Sequence, residues 1–313
     1  MRIQNVKLIG LGAMGCFFAP KLKAYLGDGF KIIANGERAD RLRDKGVVIN
    51  GEKCIFDIAD VDDKEDTDLI IIAVKGYALE QAMEDIRPYV GEKTLIMSVL
   101  NGVDSEDVVA KHYGWEHVVY SYMRVSIVMV DGVTNFDPKV GKVHFGESKN
   151  VPGQYSERVN AIKDLFDKSD VNYQIDEDME RGIWFKFSCN VGENMTCAML
   201  GIPFGSFHGG TYANKIRESG MREVIAIANK KGIALSEDDV TAQQAMLNTI
   251  PFENKPSTLQ DLEAGKLTEV DMFAGKVIEL GEEYGVPTPM ARMYYDGIKA
   301  KEEVILARAK GVK

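Results

Sequence analysis

The feature that most constrains the fold is a glycine-rich turn between an apolar strand and a helix near the start of the chain. Residues 6–9 are a short apolar run, and Gly10, Gly12 and Gly15 follow it with the spacing G-x-G-x-x-G. Helix-compatible residues come next, and residues 31–34 read as a second strand. In this context the glycines permit a tight turn, the approach of a pyrophosphate and the packing of helix on strand. The sequence therefore predicts a dinucleotide-binding unit, with an ordinary glycine-rich turn as the alternative.

The end of the second strand indicates which dinucleotide is bound. An Asp or Glu there holds the ribose 2′-hydroxyl of NAD, whereas an Arg accommodates the 2′-phosphate of NADP. This chain has Asn35, Glu37 and Arg38, with Arg41 and Arg43 close behind. We assign Asn35 and Arg38 to the cofactor and favour NADP(H) over NAD, the alternative being a solvated helix face. The residues of the turn that we assign to the cofactor are Gly10, Leu11, Gly12, Ala13, Met14 and Gly15.

Two further apolar runs predict strands that are buried on both faces of a parallel sheet. They span residues 69–74 and 95–100, and they end in Lys75 and Asn101, each followed by glycine. Uninterrupted runs of this kind are typical of parallel strands covered by helices. Because the carboxyl ends of such strands form the edge where open α/β sheets bind ligands, we expect Lys75 and Asn101 at a ligand site. Each residue alone is common in loops.

The chain changes character near residue 178. A single core rarely grows beyond roughly 250–300 residues, so 313 residues suggest two domains. Before the change we predict a hairpin at Asn50 and Gly51, strands at 118–122, 125–130, 142–145 and 172–175, and a helix at 156–168. After it we predict helices at about 180–200, 211–231, 237–249, 257–264, 269–284 and 290–309. The predicted fold class is α/β, with an N-terminal Rossmann-type dinucleotide-binding domain at 1–178 and an all-α C-terminal domain at 179–313.

A polar strip lies along the first of these helices. Lys186, Asn190 and Asn194 recur every four residues, and a step of four advances about 40° around an α-helix. Apolar residues fill most of the remaining surface, so we expect the helix to be largely buried. Burying an ammonium and two amides without partners costs roughly a few kcal/mol each. One interpretation is a core helix satisfied by neighbouring backbone; the other is a substrate site, with Lys186 donating a proton to a developing alkoxide.

The final third of the chain contains residue pairs with the spacing of helix capping boxes. Ser257 with Gln260, and Thr268 with Asp271, are both three residues apart, and Glu269 suits the first turn of a helix. These local roles are compatible with a functional one. Ser236 with Asp239 has the same spacing, and Gly232 and Gly285 look like helix stops.

Taken together, the motifs resemble the ketopantoate reductase (2-dehydropantoate 2-reductase) family over nearly the whole length. The matching features are the glycine turn, Lys75, Asn101-Gly102, residues 141–144, Trp184-x-Lys186-x-x-x-Asn190-x-x-x-Asn194 and the block from Ser257 to Glu269. The resemblance implies NADPH-dependent reduction of ketopantoate or a related 2-keto acid to the 2-hydroxy acid, in pantothenate biosynthesis. It implies that Lys186 is the general acid and that Glu269 is a partner of substrate and lysine. It also implies substrate binding by Asn190, Asn194, Ser257 and Asn101, with Lys75 and Asn101 at the cofactor–substrate junction.

Several residues depart from the family pattern, and two other functions remain open. Asn35 stands where Arg is common, Thr258 replaces a Met, and Gly192-Glu193 separates the two asparagines. Gly192 is expected to cost the helix about 1 kcal/mol, and Glu193 to place a carboxylate beside the pocket. A β-hydroxyacid dehydrogenase shares the opening turn and a lysine with an asparagine four residues later. A non-catalytic NADP-responsive sensor is the second alternative.

Composition excludes other kinds of partner. The net charge of −10 argues against nucleic acid or an acidic membrane surface. No apolar run approaches 18 residues, and we expect neither a signal peptide nor a membrane span, hence a cytoplasmic location. The four cysteines and four histidines have no metal-ligand spacing, so we expect no metal, and Cys189 and Cys197 are too far apart on one helix for a disulfide. The apolar helical domain is compatible with a homodimer.

Overall fold

The computed structural model describes residues 2–60, 67–125, 127, 129–137, 139 and 141–310. The chain divides into two compact units, Met1–Glu180 and Arg181–Lys313. This division lies two residues beyond the boundary that we expected at 178. Each unit has a distinct architecture and is described by itself.

The first unit is an α/β unit with two sheets. Its strands are β1 (Val6–Ile9), β2 (Phe30–Ile33), β3 (Val47–Ile49), β4 (Glu52–Cys54), β5 (Leu69–Ile72), β6 (Leu95–Ser98), β7 (Val118–Arg124), β8 (Met129–Val130), β9 (Val133–Thr134), β10 (Lys142–Gly146) and β11 (Tyr173–Gln174). Its helices are α1 (Ala13–Leu26), α2 (Gly36–Asp44), α3 (Leu79–Ile86), α4 (Ser105–Tyr113) and α5 (Glu157–Lys168). The larger sheet has the order β11-β10-β7-β6-β5-β1-β2, and the smaller one β4-β3-β9-β8.

The larger sheet is parallel from β2 through β1, β5 and β6 to β7. Strand β10 adds antiparallel to β7, and β11 lies parallel to β10. Every residue of β1, β5 and β6 is buried, as expected of parallel strands whose two faces are covered by helices. This confirms the predicted α/β fold class with a Rossmann-type first domain.

Two predicted strands are shorter in the structure than in the sequence pattern. The run at 69–74 forms hydrogen-bonded strand only over Leu69–Ile72, and the run at 95–100 only over Leu95–Ser98. The predicted strand at 125–130 includes Ser126 and Val128, which lie outside the described residues, and β8 covers its last two positions. The hairpin is confirmed, because Asn50 (φ 51°) and Gly51 (φ 83°) join β3 to β4 with two left-handed residues.

Helices are the only regular secondary structure in the described part of the second unit, which confirms the predicted all-α domain. Its elements are α6 (Met179–Cys189, which begins in the first unit), a π-helical turn (Asn190–Asn194), α7 (Met195–Leu200), α8 (Thr211–Lys230), α9 (Glu237–Leu247), α10 (Ser257–Glu263), a second π-helical turn (Asp271–Gly275), α11 (Lys276–Tyr284) and α12 (Pro289–Ala309). Within the described ranges, no helix is both long and apolar enough to cross a membrane.

The predicted helix ends are partly right. The capping box of Ser236 and Asp239 is present, and Gly285 ends α11 in a left-handed conformation with φ 67°. The box predicted for Ser257 and Gln260 is wrong, because Pro256 is the N-cap of α10 and Ser257 is its first residue. Gln260 instead donates to the backbone oxygen of Lys255 at 2.7 Å.

The box predicted for Thr268 and Asp271 is also wrong. The Thr268 hydroxyl accepts from the amide of Val270 at 3.2 Å, but the Thr268 amide donates to the carboxylate of Glu302 at 2.7 Å. Asp271 accepts instead from the Tyr295 hydroxyl at 2.9 Å. A carboxylate from α12 thus replaces the local partner that the spacing predicted.

Candidate active site

The three glycines of the turn occupy three different environments. Gly10 has φ 99°, and an added Cβ would lie 2.5 Å from the carbonyl carbon of Ala73, so the chain can turn here only without a side chain. A Cβ on Gly12 would meet nothing within 4 Å. A Cβ on Gly15 would clash with the backbone oxygen of Gly10. These environments match the tight turn, the open phosphate approach and the close helix–strand contact of a dinucleotide fingerprint.

The start of α1 is arranged as a potential anion site. The first amide N–H groups of any α-helix have no intrahelical acceptor. In α1 the N-cap is Gly12, which has no side chain to accept from them. The positive end of the helix dipole lies at the same place. The turn therefore fits the pyrophosphate of a dinucleotide, and its residues Leu11, Ala13 and Met14 remain predicted cofactor contacts.

The strand register brings several predicted site residues to one edge of the sheet. Ile33 pairs with Ile9, Ile9 with Ile72, and Ile72 with Ser98, which forms a line across four parallel strands. Gly10 comes directly after Ile9, and Asn35 comes two residues after Ile33, just beyond the end of β2. Lys75 and Asn101 each follow this line by three residues, so their equivalent placement matches the prediction. Lys75 is exposed, and Asn101 is half-buried.

At the β2 end of this edge, Asn35 and Arg38 are both exposed. The Asn35 amide donates to the carboxylate of Asp85, on α3, at 3.2 Å. Desolvation lowers the pKa of Arg38, the neighbouring Arg41 lowers it further, and Asp85 acts in the opposite direction. The sequence pattern missed Asp85 because it is 50 positions from Asn35 in the chain, and no local spacing connects the two.

A buried acid lies five residues after Asn101 and was also missed. Glu106 is in the first turn of α4, where its carboxylate accepts from the Ser105 hydroxyl at 3.0 Å and the Ser121 amide at 3.4 Å. Burial raises the pKa of Glu106 to about 7. The acidic first turn of α4 was a visible signal, but its burial depends on the packing of α4 against β7, which the sequence does not show.

In the second unit, the predicted polar strip is the partly exposed side of an otherwise buried segment. Lys186, Asn190 and Asn194 are half-buried, as is Phe185, and the other residues between 183 and 198 are buried. Asn190 begins the first π-helical turn and Asn194 ends it. In an α-helix four residues turn slightly more than one full turn, because one turn contains 3.6 residues. A π turn, closed by i→i+5 bonds, contains more residues, so in it four residues turn slightly less than one full turn. The π turn therefore reverses the drift of the strip and helps to keep its members in line.

Gly192 has a packing role that the sequence did not reveal. A Cβ at this position would lie 2.5 Å from the Met221 side chain and 2.8 Å from the backbone oxygen of Arg217, both on α8. The expectation that Gly192 only weakens the helix was therefore incomplete, because it allows α8 to approach the π turn. Glu193 is buried, and it contributes after desolvation to the raised pKa of Cys197. Glu193 is therefore buried, unlike the half-buried residues of the strip, and the expected carboxylate beside the pocket remains a prediction.

The elements that carry the remaining predicted residues pack around this π turn. Both α10, which begins at Ser257, and the second π turn, which follows Glu269, contact it. The Phe187 and Phe273 rings stack with centroids 6.4 Å apart and so hold the two helices side by side. Glu269 is half-buried and Ser257 is exposed. The second unit therefore brings the elements that bear Lys186, Asn190, Asn194, Ser257 and Glu269 into one cluster.

The four cysteines are not joined by disulfides. Burial raises the pKa of Cys16 and of Cys197 to about 12 in each case, which keeps both protonated. No group of three or more His, Cys, Asp or Glu side chains suited to a metal ion occurs in the part of the chain that the structure describes. The absence of a metal, the homodimer and the cytoplasmic location remain predictions.

A Rossmann-type unit with an open phosphate turn, followed by an all-helical unit with a lysine–asparagine strip, defines a two-domain oxidoreductase with a nicotinamide dinucleotide. Two family profiles identify the family of this oxidoreductase. The profile described as ketopantoate reductase PanE/ApbA matches residues 6–150, and the profile of its C-terminal domain matches residues 178–302. The chain belongs to the ketopantoate reductase PanE/ApbA family, which confirms the predicted resemblance.

Named relatives agree with this assignment. The chain is 26% identical over 306 residues to a 2-dehydropantoate 2-reductase of Streptococcus pyogenes, covering 96% of this chain and 98% of the relative. It is 24% identical over 308 residues to the enzyme of the same name from Pyrococcus abyssi, with 96% and 98% covered.

Solved structures share the fold at low identity. A D-mandelate dehydrogenase with NADH and anilino(oxo)acetate has a TM-score of 0.84 at 22% identity, covering 96% of this chain and 99% of that one. A PanE/ApbA family ketopantoate reductase from Ralstonia eutropha has a TM-score of 0.79 at 22% identity with the same coverage. Neighbours with this fold thus include enzymes named for different substrates, so the likeness shows the architecture and not the substrate.

Proposed function

We propose that this protein reduces a 2-keto acid to the 2-hydroxy acid with NADPH, and that 2-dehydropantoate is its substrate. The observation that carries the proposal is the strip of Lys186, Asn190 and Asn194, which is the half-buried polar side of a segment that is otherwise buried. An ammonium with two amide groups along one line offers donors to the carbonyl and carboxylate oxygens of a small keto acid. The names of the Streptococcus and Pyrococcus relatives support the choice of substrate.

The first unit supplies the cofactor site in this proposal. The open face of Gly12 and the amides at the start of α1 take the pyrophosphate, and Arg38 takes the 2′-phosphate. Lys75 and Asn101, at equivalent points of the same edge, bind where the cofactor meets the substrate. When bound, the reduced cofactor supplies the hydride.

The second unit supplies the acid. Hydride addition to a keto group leaves negative charge on its oxygen, and the ammonium of Lys186 stabilises this charge and then donates a proton to it. Asn190, Asn194 and Ser257 orient the substrate. Glu269, on a neighbouring element of the same cluster, interacts with the substrate and with the lysine.

A panel of 2-keto acids tests the proposal. Purified protein with NADPH should oxidise the cofactor fastest with 2-dehydropantoate, and more slowly with smaller branched and with aromatic 2-keto acids. Faster turnover of an aromatic acid would keep the reaction type but replace the substrate. No turnover with any member, and none with β-hydroxyacids plus NADP⁺, would contradict an enzymatic function in favour of a cofactor-responsive sensor.

Arg38→Ala should lower the preference for NADPH over NADH. Its guanidinium is the first cation after the end of β2, and an arginine–phosphate bond is among the stronger charge-assisted ones. We expect wild type to bind NADPH more tightly, and the variant to lose about tenfold in NADPH affinity with little change for NADH. Arg43→Ala is the matched control, because Arg43 pairs with Asp40 at 3.1 Å on the same helix. Equal wild-type affinities, or an unchanged ratio in Arg38→Ala, would refute the assignment.

A further inference from the structure

The β2 end of the sheet edge carries ionic groups of both signs, of which the proposed reaction uses only Arg38. Arg38 and Arg41 are one turn apart on the exposed side of α2. Asp85 approaches the same place from α3 and accepts a hydrogen bond from Asn35. In the usual dinucleotide fold either an acid or an arginine stands here, because the two read different groups of the adenosine ribose. This chain places both kinds of group together.

The two arginines have the character of an anion site. Among the described residues neither guanidinium makes an ion pair, whereas Arg43 on the same helix pairs with Asp40. Like charges three positions apart on a helix repel each other, and the lowered pKa of Arg38 reflects first desolvation and then this neighbour. A bound phosphate group would relieve the repulsion.

Asp85 has the character of a hydroxyl acceptor. Its Oδ1 accepts from the Asn35 amide at 3.2 Å and from the Gln81 amide at 3.1 Å. Its Oδ2 has no hydrogen bond to any residue that the structure describes. Asn35 occupies the position where an acid of β2 would hold the ribose, so its amide brings the carboxylate of α3 to within hydrogen-bond distance of that position.

We propose that Asp85 is the residue that binds the adenosine ribose hydroxyls of NADH, in opposition to the 2′-phosphate site of Arg38 and Arg41. The inference rests on the proposed function, since it concerns the cofactor of the same reaction. It makes the chain a dual-cofactor reductase that favours NADPH but also uses NADH. Asp85 and Arg38 then change the cofactor ratio in opposite directions.

The sign of each effect follows from charge. The carboxylate of Asp85 accepts from the 2′-hydroxyl of NADH, but it repels the 2′-phosphate of NADPH. Asp85→Asn keeps an oxygen for the Asn35 and Gln81 amides and removes only the charge and one acceptor. Because the group is half-buried and near solvent, screening keeps each effect modest, at roughly three- to tenfold.

The test measures dissociation constants for NADPH and NADH in wild type, Asp85→Asn, Arg38→Ala and Glu84→Gln. Glu84 is the matched control, an acid of the same helix that pairs with Arg87 at 2.6 Å. We expect Asp85→Asn to weaken NADH about three- to tenfold and to leave NADPH unchanged or tighter. We expect Glu84→Gln to change neither the dissociation constant for NADPH nor that for NADH.

The outcomes separate this inference from the function on which it rests. If wild type binds the cofactors and Asp85→Asn has the same NADPH/NADH affinity ratio as wild type, the role of Asp85 is overturned. The proposed reductase function then stands. Weakening of both cofactors equally would also overturn the role of Asp85, because that result indicates a structural role. Wild-type protein that binds neither dinucleotide would overturn the proposed function and this inference together.

Discussion

Replacing Lys186 by alanine is expected to lower kcat by about 100- to 10,000-fold, the usual contribution of a general acid. The effect falls on kcat because the ammonium interacts most strongly with the charge that develops on the oxygen during reduction. NADPH affinity should stay nearly unchanged, since the glycine turn belongs to a separate compact unit. Lys186→Arg should recover little activity, because a guanidinium hardly gives up its proton. Steady-state kinetics and cofactor titration measure both quantities.

The matched control for this prediction is Lys230→Ala. Lys230 is exposed at the end of α8, so its loss should change neither kcat nor stability. A lysine with only a structural role makes the opposite forecast, in which Lys186→Ala lowers the melting temperature and the folded fraction turns over normally. A well-folded Lys186→Ala enzyme with kcat within about threefold of wild type would therefore refute the catalytic assignment.

Gly12→Ala is expected to raise the dissociation constant for NADPH by about tenfold or more without loss of stability. The added methyl group would meet nothing within 4 Å, and the φ of Gly12, −103°, suits an alanine. The fold therefore tolerates the change. The methyl group would occupy the open approach that we assign to the pyrophosphate. Cofactor titration and thermal melting measure the two effects.

Gly15→Ala provides the contrast. Its methyl group would clash with the backbone oxygen of Gly10, where α1 packs on β1, so this variant should lose stability as well as affinity. A normal NADPH affinity in a well-folded Gly12→Ala protein would show that the pyrophosphate does not approach this glycine.

Local patterns predicted much of the fold because the signals lie within single elements. The β1–turn–α1 unit follows from an apolar run and three glycines, and the burial of β5 and β6 follows from uninterrupted apolar runs. The strand ends were less predictable. Ala73, Val74, Val99 and Leu100 continue the apolar runs beyond the last paired residues, Ile72 and Ser98, because packing continues where the hydrogen-bonded ladder stops.

The features that sequence reasoning missed all depend on contacts between distant segments. The π turn at Asn190–Asn194 changes the hydrogen-bond register without any residue type that announces it. Gly192 is unfavourable within a helix, and only the approach of α8 explains its presence. Asp85 accepts a hydrogen bond from Asn35 although it belongs to another helix, and Glu302 replaces the local cap predicted for Thr268. Each depends on tertiary packing, which overrides the local preference.

The proposed reaction transfers a hydride from a reduced nicotinamide to the keto carbon of a 2-keto acid. Its most direct test uses NADPH that carries deuterium at the transferred position, with 2-dehydropantoate as substrate and mass spectrometry of the product. We expect a 2-hydroxy acid with one deuterium on the former keto carbon, formed in proportion to the NADPH consumed. Cofactor oxidation without a labelled 2-hydroxy acid, or no oxidation at all, would contradict it.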